Sequence, residues 1–209
     1  MSISKAKIQV ARKHLLKDGV MAQIMDDVGP FELRIQRDRF QMLVRSILSQ
    51  QISVAAARTI RQRLEALFSP DKISAAQLAQ CDLEQLRSVG ISKQKGTYLL
   101  DLSSKVEDGS LELRQIGRRT DRQIIDQLVQ VKGIGVWTAQ MFLIFALGRM
   151  DVFPADDLGV QRAIQYRYGY SEKPNSNQLD SVSKGWRPFR TVASWYCWRS
   201  LELDRSQNS

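Results

Sequence analysis

Two adjacent carboxylates, Asp156 and Asp157, stand in the stretch Val152-Phe-Pro-Ala-Asp-Asp-Leu158. A carboxylate can stabilise positive charge as it develops on a reacting group, or orient and deprotonate an attacking water. Just ahead of a helical stretch an Asp also serves as an N-cap, and for an arbitrary Asp-Asp pair that is the commoner role. Competing chemistries are few. His14 is the single histidine, which excludes any mechanism needing two. Cys81 and Cys197 are the only cysteines, too few for a four-cysteine iron–sulfur or zinc site or a multi-bridge disulfide framework. A second motif, Lys132-Gly133-Ile134-Gly135, joins two apolar segments. Its glycines permit positive φ and close backbone approach. Bare amides at the start of the following helix would form an anion site suited to phosphate. Ile134 is placed to plug back into the core, and Lys132 adds charge.

The elements that must position these groups are helical. Phe40, Leu43, Val44, Ile47 and Leu48 follow the spacing of an amphipathic helix, as do Ile52, Ala55, Ala56, Ile60, Leu64 and Leu67. Ser74, Asp82 and Thr120 are placed to cap helices over 75–79, 83–88 and 121–129. Further helices are expected over 93–106, 136–147, 157–168 and 176–184. A last one is expected to about Leu203, with Pro188 in its first turn and a frayed tail from Asp204. No persuasive alternation of strand residues occurs, so the chain reads as all-α. Leu86–Leu99 and Leu128–Met141 repeat one outline, a helix, a Gly-Ile turn and another helix. The first copy is read as structural and the second as functional.

Composition supports a folded, anion-binding chain. The 209 residues are 43% hydrophobic and 25% charged, ordinary globular values. Thirty-one Lys and Arg against 22 Asp and Glu leave a net charge of +9. The basic residues Lys93, Lys95, Arg114, Arg118, Arg119 and Lys132 lie near expected turns, where together they could attract phosphate. The N-terminus lacks an apolar signal core, and the most apolar stretch, Ala139–Leu147, is far short of a membrane span. The expectation is a cytoplasmic, intracellular protein without a membrane partner.

Several separated motifs occur in one order: Arg45-Ser-Ile-Leu-Ser-Gln-Gln-Ile-Ser53, Leu128-Val-Gln-Val-Lys-Gly-Ile-Gly-Val-Trp-Thr-Ala139, the Asp-Asp stretch, and Trp186-Arg-Pro-Phe-Arg190 followed by Trp195-Tyr-Cys-Trp198. In these the chain resembles the helix-hairpin-helix DNA glycosylases, and within them the alkylation-repair branch typified by 3-methyladenine DNA glycosylase II, in a compact form. The resemblance covers roughly Phe40 to Leu201.

It implies two helical subdomains with a cleft between them: residues 39–149 carrying the wedge turn and hairpin, and residues 1–38 with 150–209 forming the other. It implies that Asp157, which has Val160 and Arg162 at the family's spacing, is the catalytic carboxylate, and that Asp156 caps or supports. The amides of Gly133, Gly135 and Thr138 would grip a DNA phosphate, with Lys132 beside them. The carbonyls of Val129, Val131 and Ile134 would hold a monovalent cation, Na+ or K+. No other cofactor is required. Trp137 and Trp198 would line the pocket for a flipped base, with Met141 where the branch usually has another aromatic. Trp198 is equally placed to join Trp186, Trp195 and Tyr196 in a core stripe on the last helix. Gln51, then Ile52, would be the wedge that fills the gap left in the duplex.

Bifunctional members of the superfamily carry a Lys where this chain has Trp137, and tryptophan cannot form a Schiff base. The resemblance thus implies a monofunctional enzyme, active as a monomer, that releases alkylated purines such as 3-methyladenine and 7-methylguanine from double-stranded DNA in base excision repair. The alternatives are the same fold acting on hypoxanthine or uracil, or a non-catalytic helix-hairpin-helix DNA-binding module.

Overall fold

A computed structural model describes residues 3–207. Among them lie twelve α-helices: α1 (Lys5–Leu15), α2 (Gly19–Val28), α3 (Arg39–Ser49), α4 (Val54–Leu67), α5 (Ala75–Ala79), α6 (Leu83–Ser88), α7 (Lys93–Glu107), α8 (Asp121–Leu128), α9 (Val136–Phe145), α10 (Leu158–Arg167), α11 (Ser176–Gly185) and α12 (Arg190–Gln207). The described residues contain no strand. Helix starts follow the capping chemistry of the sequence. Ser74, Asp82 and Thr120 each accept the amide three residues on, and Gln77, Gln85 and Gln123 reach back to complete capping boxes. Asn175 and Gln178 form a fourth box ahead of α11.

The chain divides into two compact units, one of residues 1–35 and 143–209, the other of residues 36–142. The expected borders were 39 and 149. In the first unit α12 packs on α2 and α10. Its core centres on Trp186, which has no exposed surface. The Trp186 indole N–H and the Tyr168 hydroxyl both donate to Oδ2 of Asp18, at 3.1 and 2.6 Å. Oδ1 of the same carboxylate caps α2 through the amides of Val20 and Met21. Asp18 thereby satisfies two aromatic donors that burial would otherwise orphan. Phe31 meets Trp195 edge to face at 4.9 Å.

In the second unit α7 is the hub, packed against α3, α5 and α6. Gly90, at φ +94°, and Gly133, at φ +78°, turn the two copies of the repeated outline at matching places. A left-handed backbone of that kind suits glycine.

Three expectations need correction. Of the apolar stripe on α4, Leu64 alone is buried, while Leu67 is 48% exposed and Val54, at the first turn, 87%. The apolar period is present in α4, which packs on α3, but most of its stripe is left without cover. Pro188 lies two residues before α12, because the Thr191 amide bonds the Met150 carbonyl instead of continuing the turn. Helix α12 also runs past Leu203 to Gln207. The end of the expected frayed tail, residues 208–209, lies outside the described residues. No helix among the described residues is long and apolar enough to cross a membrane.

Candidate active site and nucleic-acid interface

Asp157 is the N-cap of α10. Its Oδ1 accepts the Val160 amide at 2.9 Å and the Trp198 indole N–H at 2.8 Å. The carboxylate is 8% exposed, so it is oriented by two donors and keeps a small opening to its surroundings. Asp156 is exposed and does not cap α10, which corrects the division of labour expected for the pair: the capping falls to Asp157 itself. The reason is local. Asp157 turns extended just before the helix (φ −73°, ψ 118°), which aims its side chain at the amide three residues on.

Trp198 is half-buried and stacks on Phe145, ring centroids 5.8 Å apart with planes 24° from parallel. Trp195 packs on Phe31 and Tyr196. The expected core holds: Trp186, Trp195 and Tyr196 are buried in one cluster and Trp198 packs against it half-buried, although Trp186 stands at the end of α11 and not on α12. Gly159 makes the approach of Trp198 possible. A Cβ there would lie 3.0 Å from the Trp198 ring and 3.1 Å from Oδ1 of Asp157. Sequence reasoning passed over Gly159. A glycine inside the first turn of a helix was the available signal for a close contact.

The hairpin lies in the second unit. Ile134 is 4% exposed and plugs into the core as expected. Lys132, Gly133, Gly135 and Trp137 are exposed, Trp137 to 44%. The first helical acceptor of α9 is the Gly135 carbonyl, bonded by the Ala139 amide at 3.0 Å. The helix thus opens directly at the glycine turn, with its N-terminal amides at a surface that carries Lys132. Gly133 and Gly135 differ, against the expectation that both would use glycine's freedom in the same way. Gly133 is left-handed, and a Cβ there would fall 2.1 Å from the Tyr98 ring. Gly135 lies outside the left-handed region and has nothing within 4 Å. Thr138 is buried to 5% exposure and Met141 to 7%, so neither side chain offers much surface.

The carbonyls proposed for a cation are partly engaged. That of Val131 accepts the Ile134 amide at 3.0 Å. A carbonyl oxygen has a second lone pair, so that bond leaves the Val131 oxygen able to accept once more.

At the Ser49–Ser53 turn, Gln51 is exposed at φ +55°, the one left-handed non-glycine residue among those described. Ile52 beside it is 37% exposed. The side-chain amide of Gln50 donates to the Gly133 carbonyl at 2.8 Å. Lys95, expected among the phosphate-attracting cations, donates instead to the Leu48 carbonyl at 2.7 Å, and burial lowers its pKa. Arg119 and Arg118 bond Gln127 and Gln115. The Gln50–Gly133 and Lys95–Leu48 links had no signal in the sequence, because they join residues whose pairing is set by the fold, whereas Arg118 and Gln115 are three residues apart in one turn.

The family model described as "HhH-GPD superfamily base excision DNA repair protein" matches residues 44–188, from α3 through the hairpin and the Asp157 cap. The chain belongs to that superfamily. Its relatives in the superfamily include DNA-3-methyladenine glycosylase 1 of Schizosaccharomyces pombe, 29% identical over 97% of this chain and 89% of the relative. Among solved structures, the DNA-3-methyladenine glycosidase of Bacillus halodurans matches with a TM-score of 0.83 and 34% identity, over 93% of this chain and 89% of the other. The S. pombe 3-methyladenine DNA glycosylase in complex with abasic DNA matches with a TM-score of 0.79 and 30% identity, over 90% and 94%. The hairpin, Asp157 and the Ser49–Ser53 turn of this HhH-GPD protein all lie inside the matched span.

Proposed function

We propose that this HhH-GPD protein is a monofunctional DNA glycosylase that hydrolyses the N-glycosidic bond of alkylated purines, 3-methyladenine and 7-methylguanine, in double-stranded DNA. The observation that carries the reading is the Asp157 carboxylate, held by the α10 amide and the Trp198 indole in a chain that also presents the hairpin.

The chemistry follows from charge. An alkylated purine is already cationic, so its C1′–N bond breaks with the electron pair leaving on a base that becomes neutral. Positive charge passes to the sugar. A fixed carboxylate stabilises that oxocarbenium-like state. Water then adds to C1′ through its oxygen and loses a proton, which Asp157 is the group to accept. The products are a free base and an abasic site. Trp137 is exposed and offers a π face to an electron-poor cationic base. Met141 would support Trp137 from the buried side of α9. No amine stands at position 137, so the strand is left intact.

DNA is held, in this reading, by the amides of Gly133, Gly135 and Thr138 on one phosphate, with Na+ or K+ at the Val129, Val131 and Ile134 carbonyls. Gln51 and Ile52 enter the duplex where the base has left. The protein acts as a monomer inside the cell, on the nucleoid where the source is bacterial, since that is where its substrate is.

The test is release of methylated purines from methylated duplex by wild type and Asp157→Asn. The expected result is release by the first and not by the second. Equal release sinks the catalytic assignment, and no release from methylated DNA but release from a uracil or hypoxanthine duplex sinks the substrate assignment.

A further inference from the structure

The turn at Gln51 and the hairpin at Gly133 are 82 residues apart in sequence, yet one side chain joins them. We propose that Gln50 is a positioning residue: its side-chain amide, bonded to the Gly133 carbonyl, sets the wedge turn at a fixed offset from the phosphate-holding hairpin. Filling the gap in the duplex and gripping the phosphate then occur in one register. This rests on the reading of Gln51 and the hairpin given under Proposed function.

Gln50 is the C-cap of α3, and the next residue adopts φ +55°. A residue with a Cβ holds that conformation at a cost, and such a turn persists only where its surroundings fix it. The surroundings are specific. Below the turn, Lys95 of α7 donates to the Leu48 carbonyl in the last turn of α3. Across the turn, Gln50 Nε2 donates to the Gly133 oxygen at 2.8 Å. The amide at the other end of the same peptide unit, that of Ile134, bonds the Val131 carbonyl at 3.0 Å. The Gly133–Ile134 peptide is therefore held at both ends, and one of the two holders is the residue preceding the wedge.

Helix α7 carries the frame. Asp101 Oδ2 accepts the Lys132 amide at 2.9 Å, while its other oxygen pairs with Lys105 at 3.0 Å. The Tyr98 ring lies against Gly133, and its hydroxyl is bonded by Gln94 at 2.7 Å. Residues 95, 98 and 101 recur at three-residue spacing on one helix face. That face reaches the wedge turn through Lys95 and the hairpin through Tyr98 and Asp101. Gln50 is a side-chain link running directly between the two loops, so its loss would leave both loops folded but free to shift against each other.

The experiment uses the full chain and two duplexes of one sequence, undamaged and carrying a tetrahydrofuran abasic analogue, with affinity read by fluorescence anisotropy. Gln50→Met keeps the side chain's size and removes its donors. The expected result is about a tenfold weaker hold on the abasic duplex, the scale of one well-placed hydrogen bond, with the undamaged duplex changed by less than about twofold. The salt dependence of binding should keep its slope, since the number of phosphates engaged is unchanged. Combining Gln50→Met with Gln51→Ala should cost little more than the worse single variant. The thermal midpoint should stay near that of wild type, and Gln50→Ala repeats the test should Met pack badly. A wild-type preference for abasic DNA that Gln50→Met and Gln50→Ala both retain overturns this assignment alone, as does equal loss on both duplexes or full additivity with Gln51→Ala. A wild type with no preference overturns the wedge reading itself, and this assignment with it.

Discussion

The indole N–H of Trp198 donates to Oδ1 of Asp157 over 2.8 Å, so the residue expected to stack on a base is also the one that holds the carboxylate. One face of the indole is occupied by Phe145. Trp198→Phe keeps that stack and removes the donor. Single-turnover base release from methylated duplex should slow by about tenfold, the value of a hydrogen bond to a charged group, with little change in the affinity for DNA. A loss confined to affinity would mean that Trp198 serves the base and not the carboxylate.

Asp157 serves both fold and chemistry, and the two can be separated. Asn caps a helix as well as Asp does. Asp157→Asn should therefore melt within a few degrees of wild type while base release falls by at least about a hundredfold. Asp157→Ala loses the cap as well, at about 1 kcal/mol, and leaves the Trp198 donor without its partner. The measurement is a thermal midpoint beside an excision rate. Equal midpoints for the two variants would show that the cap contributes nothing.

The two hairpin glycines should respond oppositely to a methyl group. Gly133→Ala forces a Cβ into a left-handed backbone and into the Tyr98 ring, costing roughly 2 kcal/mol or more. Gly135→Ala meets nothing within 4 Å. It should leave the urea midpoint close to wild type and weaken DNA binding by crowding the phosphate. A fold as damaged by Gly135→Ala as by Gly133→Ala would contradict this.

Trp137 offers no amine. Borohydride added during turnover on a lesion duplex should trap no covalent adduct, and strand breaks should appear only after alkali treatment of the product. A borohydride-dependent band shift would show that another amine reaches C1′.

Alkali should destabilise the first unit. Burial pushes the Cys197 thiol up to about 12, with Asp18 and Asp157 adding to it. Burial, reinforced by the Asp18 bond, raises the Tyr168 hydroxyl above its usual value. Both folded-state values are raised. Stability is therefore intact below the unfolded values, near 9.0 for the thiol and 10.0 for the phenol, and is lost as pH climbs past them. Each group contributes a slope approaching ~1.4 kcal/mol per pH unit. Urea midpoints should hold to about pH 9 and fall beyond it, and Cys197→Ala should remove part of the fall. A midpoint that rises between pH 9 and 11 would refute the account.

The helices were legible because capping and periodicity are local. Ser74, Asp82 and Thr120 cap where their side chains reach an amide three residues on, and the stops fall at Gly90 and Gly148, both left-handed. The Gly-Ile-Gly turn, the Asp157 spacing and the absence of a lysine at 137 were likewise present in the chain itself. Which member of the Asp pair caps α10 was not, since that depends on one ψ angle. The burial of α4 was not, since a period of 3.6 gives the apolar face but not whether a neighbour covers it. Nor were the bonds from Trp198 to Asp157, from Gln50 to Gly133 and from Lys132 to Asp101, which join residues 41, 83 and 31 positions apart. The sequence by itself determined the elements and the reactive groups, through interactions within a turn or two of chain. The tertiary structure alone decided which of those groups hold one another, because a hydrogen bond between distant residues depends on where packing sets their backbones.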